Sequence, residues 1–135
     1  MTFIVSYQKF INSEKSIEMT LPTDEANKRI GDELATIDGV TYVALPDGTK
    51  TPDQPKEIVV SPVVLTDALR SAICESSPLV RLINEEVKDS IAQKYSITDE
   101  IRLLRTQPSS EFTAYNEYVE DCRAEGRAKK ALLGL

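Results

Sequence analysis

IVVSPVVLTDALRSAICESSPLVRLI, residues 58–83, contains the change of pattern that decides the fold. It opens with β-formers, Ile58-Val59-Val60 and Val63-Val64, around Pro62, a residue confined to edge strands or bends. From Thr66 the period becomes helical. Thr66 caps a helix bearing Leu69, Ala72 and Ile73. Ser77-Pro78 then supplies a cap and an N1 proline ahead of a second face, Leu79, Leu82, Ile83, Val87 and Ile91. Further on, Ser96 or Thr98 with Asp99 and Glu100 starts a third helix carrying Ile101 and Leu104. Pro108 breaks it, and Ser109 or Ser110 opens the longest helix, running to about Leu133.

Upstream of this stretch the chain reads mainly as strands. Thr2 to Ile11 is rich in β-formers, and Asn12-Ser13-Glu14-Lys15 forms a polar turn. Ile17, Met19 and Leu21 then alternate with polar residues until Pro22, which predicts a hairpin. Thr23, followed by Asp24 and Glu25, predicts a helix with Ala26, Ile30, Leu34 and Ile37 on one face and Asp38-Gly39 as its stop; Gly31 weakens it. Val40 to Leu45 is a short β run closed by Pro46-Asp47-Gly48, and 40–64 as a whole reads as a β-arm or loose hairpin. The expected class is α+β: N-terminal antiparallel hairpins with one helix over 1–65, then an antiparallel half of about four helices over 66–135, together one compact domain. The expected core is Val5, Ile17, Ile30, Leu34, Leu69, Ile73, Leu82, Ile83, Val87, Ile91, Leu104, Phe112, Tyr115 and Val119.

The 135 residues contain no histidine. Histidine is the commonest general base near neutral pH and the commonest metal ligand, so Ser-His and Cys-His nucleophiles and HExxH zinc sites are excluded together. There is no glycine-rich phosphate loop and no GxSxG elbow. Four adjacent carboxylate pairs, Asp32-Glu33, Glu85-Glu86, Asp99-Glu100 and Glu120-Asp121, carry the residue types of acid–base or Mg²⁺ sites. Neighbours on a helix point about 100° apart, so each pair reads as a solvated helix face or as first-turn charge. The expected protein is not an enzyme, holds no cofactor or metal, and has no small-molecule substrate.

A net charge of -6 argues against nucleic acid, which needs a basic stripe. No apolar run is long enough for a membrane span or a signal peptide, so synthesis in the cytoplasm without membrane association is expected. Cys74 and Cys122 read as small core residues; an intermolecular disulfide is the alternative. The last helix carries the seam Phe112, Tyr115, Val119, Cys122, Gly126, which either packs on its own domain or docks on a partner. The cations from Arg127 to Lys130 either complement the helix dipole or bind an acidic partner. The candidate contact residues are Tyr42, Leu45, Ile58 and Val60 on the β-arm, Arg102 and Arg105 on the third helix, and Tyr118, Arg127 and Lys130 on the last.

Three stretches, GVTYVALPDG (39–48), YSITDEI (95–101) and YNEYVEDCRAEGRA (115–128), resemble small proteins from the tail modules of phages and prophages. The resemblance implies a virion or tail-assembly role in the baseplate or tail-fibre region, with other tail proteins or a second copy as partners. It implies no catalytic residue. A transient tail-assembly chaperone absent from the particle is the alternative reading, and a small acidic inhibitor of a host protein is the third.

Overall fold

The computed structural model describes residues 2–10, 12 and 14–135. The fold is α+β, with strands N-terminal and helices C-terminal. The chain divides into two compact units, Met1–Val80 with Leu132–Leu135, and Arg81–Ala131. The first helix therefore belongs with the sheet, although the composition changes at 65/66.

The sheet unit is built on β1 (Thr2–Gln8), β2 (Asp32–Ile37), β3 (Val40–Pro46) and β4 (Ser61–Pro62), antiparallel in the order β2-β3-β1-β4. The central strands are apolar on both faces, and their register keeps the faces separate. Phe3 sits opposite Leu45 and Val5 opposite Val43 on one face, while Ile4 lies opposite Ala44 on the other. Met19 and Ile58, with Ile17, Leu21 and Val60, cover the first face. The helix α1 (Asp67–Ser76) covers the second through Ile73 and Leu69, joined by Leu133 and Leu135. Gly134 lies against Ile4 and Thr2, and Thr2 Oγ1 donates to the Leu132 carbonyl at 2.9 Å. Each fully buried aliphatic side chain here contributes about 1.5–3 kcal/mol.

The expected helix over 23–37 does not exist. Asp24 Oδ1 accepts the amides of Ala26 and Lys28, both at 2.9 Å, and Asn27 has φ 60, so the segment closes on itself as a polar loop. At Gly31 φ is +106, and a Cβ there would stand 2.7 Å from Leu45 Cδ2 and 3.0 Å from the Ala44 carbonyl oxygen. Asp38 and Gly39, with φ 51 and 80, are the two-residue turn of the β2–β3 hairpin rather than a helix stop. A bulge between Glu33 and Ala35 puts the consecutive residues Leu34 and Ala35 in the same core.

The second arm of the first hairpin also differs from expectation. Phe10 and Ser16 form one isolated bridge, and Ile17 donates to the Lys9 carbonyl at 2.8 Å, but residues 17–21 make no ladder. Gln54 takes the place of the missing strand. Its Oε1 accepts from the Thr20 amide at 2.7 Å, and its Nε2 donates to the Thr20 carbonyl at 2.8 Å. Asn12 Oδ1 caps the turn by accepting the Glu14 and Lys15 amides. The turn residue Ser13 and the strand residue Ile11 lie outside the described residues. The β-arm is not free either: it contributes the central strand β3, core residues and a two-residue edge ending at Pro62.

Local punctuation fixes the helices. Thr66 Oγ1 accepts the Leu69 amide and caps α1. Ser77 donates its amide to the Ile73 carbonyl at 2.8 Å, ending α1, ahead of Pro78 at the start of α2 (Pro78–Lys94). Ser96 and Asp99 form a capping box on α3 (Ile97–Arg105). Ser109 Oγ accepts the Phe112 amide and caps α4 (Ser110–Leu132).

In the helical unit α2 and α4 run antiparallel. Lys129 Nζ donates to Glu86 Oε2 at 2.7 Å, and the Tyr118 hydroxyl donates to the Ser90 carbonyl at 2.7 Å, so numbers rise on one helix as they fall on the other. Ile83, Leu103, Val119 and Cys122 are buried. Leu82 and Leu104, expected in the core, are exposed. On α3 the inward residue is Leu103, one position and about 100° away from Leu104.

Candidate interaction surface

The carboxylates of the four adjacent pairs are exposed or half-buried, and several of them make surface contacts. Asp32-Glu33 lies on β2 rather than on a helix, and Glu33 stands 3.7 Å from Lys9. Glu86 pairs with Lys129, and Glu120 with Arg123 at 3.2 Å. The Ser96 backbone amide and then its hydroxyl hold the Asp99 carboxyl below its ordinary range, as a capping box requires. No group of three or more metal-ligating side chains occurs among the described residues. No described helix is long and apolar enough to cross a membrane.

The expected contact residues separate into buried and available sets. Leu45 is 0% exposed and Ile58 6%, so neither belongs to a surface: Leu45 lies on the central strand β3, and Ile58 packs onto the same face of the sheet from the segment ahead of β4. Val60 and Tyr42 are half-buried against the two faces of the sheet. Arg102 pairs with Glu111 of α4 at 3.2 Å. Arg105 is exposed and has no such partner among the described residues. Cys122 is buried, with the Tyr118 hydroxyl pushed up by burial and then by the Cys122 thiol. Burial removes Cys122 as a cross-link; Cys74 is half-buried.

Ile101 and Leu104, expected together on the third helix, are joined by Ile97 in an exposed apolar row on α3. Ile97, Ile101 and Leu104, at i, i+4 and i+7, form one line and are 76%, 47% and 52% exposed. Beside it lies a cleft of about 290 Å³ lined by Lys88, Ile91, Ala92, Tyr95, Ile97 and Glu100. Aromatic packing stiffens its wall. The rings of Tyr95 and Tyr115 meet edge to face at 4.9 Å, and Lys94 Nζ lies 4.5 Å from the Tyr118 ring centre. The Tyr115 hydroxyl donates to Glu100 Oε1 at 2.7 Å; burial and then this bond push its pKa up.

The C-terminal part of the α4 seam, Cys122 and Gly126, faces α2 within the helical unit, while Tyr115 meets Tyr95 and the α3 residue Glu100. Gly126 is its closest point, since a Cβ there would stand 2.7 Å from Val87 Cγ2 and 3.8 Å from Ile83 Cγ2. A helical glycine costs about 1 kcal/mol against alanine, and crowding a packed core costs about 1–3 kcal/mol. Gly126→Ala is therefore expected to lower stability by about 1 kcal/mol despite its better helix propensity, read by denaturant titration. A stabilised variant would show that the two helices are not in contact here. Beside Gly126 a second cleft, of about 180 Å³, is lined by Asn84, Val87, Arg123, Gly126, Arg127 and Lys130.

No protein-family model, no curated protein and no solved structure matches this chain.

Proposed function

We propose that the protein is a non-enzymatic structural or adaptor component of a phage tail, working through protein–protein surfaces. The observation that supports this reading is the α3 row of Ile97, Ile101 and Leu104, three branched aliphatic side chains aligned in water. Exposed apolar area is unfavourable by about 25 cal/mol per Å², and contiguous patches of it mark interaction sites. The tail setting rests on the resemblance of residues 39–48, 95–101 and 115–128.

Co-expression with the tail proteins encoded beside it, followed by purification and light scattering, tests the reading. A stable complex is expected, or a defined oligomer. The combined variant Ile97→Ser, Ile101→Ser, Leu104→Ser is expected to weaken it by about 1 kcal/mol or more per anchoring residue, without loss of thermal stability. Absence of association, or a triple variant that associates like the parent, overturns the interface. Mass spectrometry of purified virions then separates a structural component, which is present, from an assembly chaperone, which is not.

A further inference from the structure

We infer that the cleft beside Gly126, between α2 and α4, is a carboxylate-binding site that receives the acidic side chains of a partner protein. This rests on the reading of the protein as an interaction protein, but on a surface separate from the α3 row. Arg123, Arg127 and Lys130 occupy i, i+4 and i+7 of α4, so all three cations line the same cleft. Like charges at this spacing destabilise a helix. Arg123 is relieved by Glu120 at 3.2 Å, whereas Arg127 and Lys130 have no carboxylate within ion-pair distance among the described residues. The opposite flank of the same helix is arranged differently, for Lys129 there is matched to Glu86 at 2.7 Å.

The chain carries 22 acidic side chains against 16 basic ones, so carboxylates are plentiful and this flank nevertheless lacks enough of them. The helix dipole accounts for only part of the pattern. Its effect is confined to the last turn, which holds Lys129 and Lys130 but not Arg123.

The lining suits carboxylates in particular. Arginine offers a planar fork that pairs with a carboxylate through two parallel hydrogen bonds. The Asn84 side-chain amide adds a neutral donor from α2. Gly126 leaves the floor without a side chain, and the Val87 methyl beside it offers an apolar contact for the methylenes of a glutamate. About 180 Å³ admits one or two such side chains, not a whole element. Nucleic acid needs a longer basic track than this one flank of α4 provides.

The test is an amide-resolved NMR titration of the full chain with hexaglutamate peptide at low salt. Saturable shifts are expected around Asn84 and from Arg123 to Lys130, weakening as salt is raised. Arg127→Gln with Lys130→Gln is expected to lower affinity at least about tenfold, while Lys129→Gln retains it. The melting temperature of the double variant is expected to match or exceed that of the parent, because a repulsion has been removed. Shifts spread over every basic residue, unchanged affinity in the double variant, or a clear drop in its melting temperature would each overturn the site. Tighter binding of pyrophosphate or a short oligonucleotide than of hexaglutamate would overturn the assignment to carboxylates. The titration needs no tail protein, so its failure and failure of the proposed function are read separately.

Discussion

Gly31→Ala is expected to destabilise the sheet unit by about 3 kcal/mol or more, one of the largest effects of any single methyl in this chain. Two costs combine. The backbone at φ +106 lies where side-chain-bearing residues rarely go, and the added Cβ would meet Leu45 Cδ2 at 2.7 Å and the Ala44 carbonyl oxygen at 3.0 Å. A carbonyl in the middle of β3 cannot retreat without disturbing the β1–β3 ladder. Gly48→Ala supplies the control, because Gly48 has φ +79 but nothing within 4 Å of a Cβ. That variant carries backbone strain alone, about 1 kcal/mol. Thermal unfolding should separate the two by about 10 °C. Equal losses would mean that Gly31 does not approach β3.

Ile73→Ala is expected to cost about 2–5 kcal/mol, because the side chain is fully buried and a cavity between α1 and the sheet could not collapse onto a rigid ladder. That is a large fraction of the 5–15 kcal/mol typical of a whole domain. Leu104→Ala, which removes the same amount of carbon from an exposed site, is expected to change stability by less than about 0.5 kcal/mol. Denaturant titration of both variants checks the burial assignment directly. A costly Leu104→Ala would place that residue back in a core.

The helices from Thr66 onward were legible because their signals are local. A hydroxyl at the cap, a proline at N1 and an acid in the first turn act within four residues, and Thr66, Ser77-Pro78, Ser96 and Ser109 all stand where the sequence puts them. The segment 23–37 misled for a physical reason. Asp-Gly ends helices and also turns hairpins, and the contact that excludes the helix, Gly31 against Leu45, is tertiary. Residues 17–21 had the alternation of a strand and do place Met19 in the core, yet after Ile17 the partner of the Thr20 backbone is a side chain, Gln54. Periodicity reports burial, not pairing.

The candidate surface was less legible. Leu45 and Ile58 looked exposed because a short β-arm near prolines suggests a projecting edge, whereas β3 is central and covered on both faces. On α3 the apolar residues Ile97, Ile101, Leu103 and Leu104 occupy two sides of a helix of nine residues. Only the packing partner decides that Leu103 turns inward and leaves the other three in water. Arg127 and Lys130 were recognisable as cations near a helix end. Their shared cleft depends on Gly126 and Asn84, which no spacing rule connects.

The return of Leu132–Leu135 to the sheet has a consequence for biosynthesis. The hydrogen bond from Thr2 to Leu132 joins residues 130 apart, and Leu133 and Leu135 complete the face against which Ile4 and Ala44 pack. On a ribosome the strands emerge first but lack these two leucines until all of Arg81–Ala131 has been translated. The nascent sheet therefore waits with one apolar face incompletely covered while the helical segment is made. The order of translation and the order of completion are opposite: the first unit begun is the last one finished.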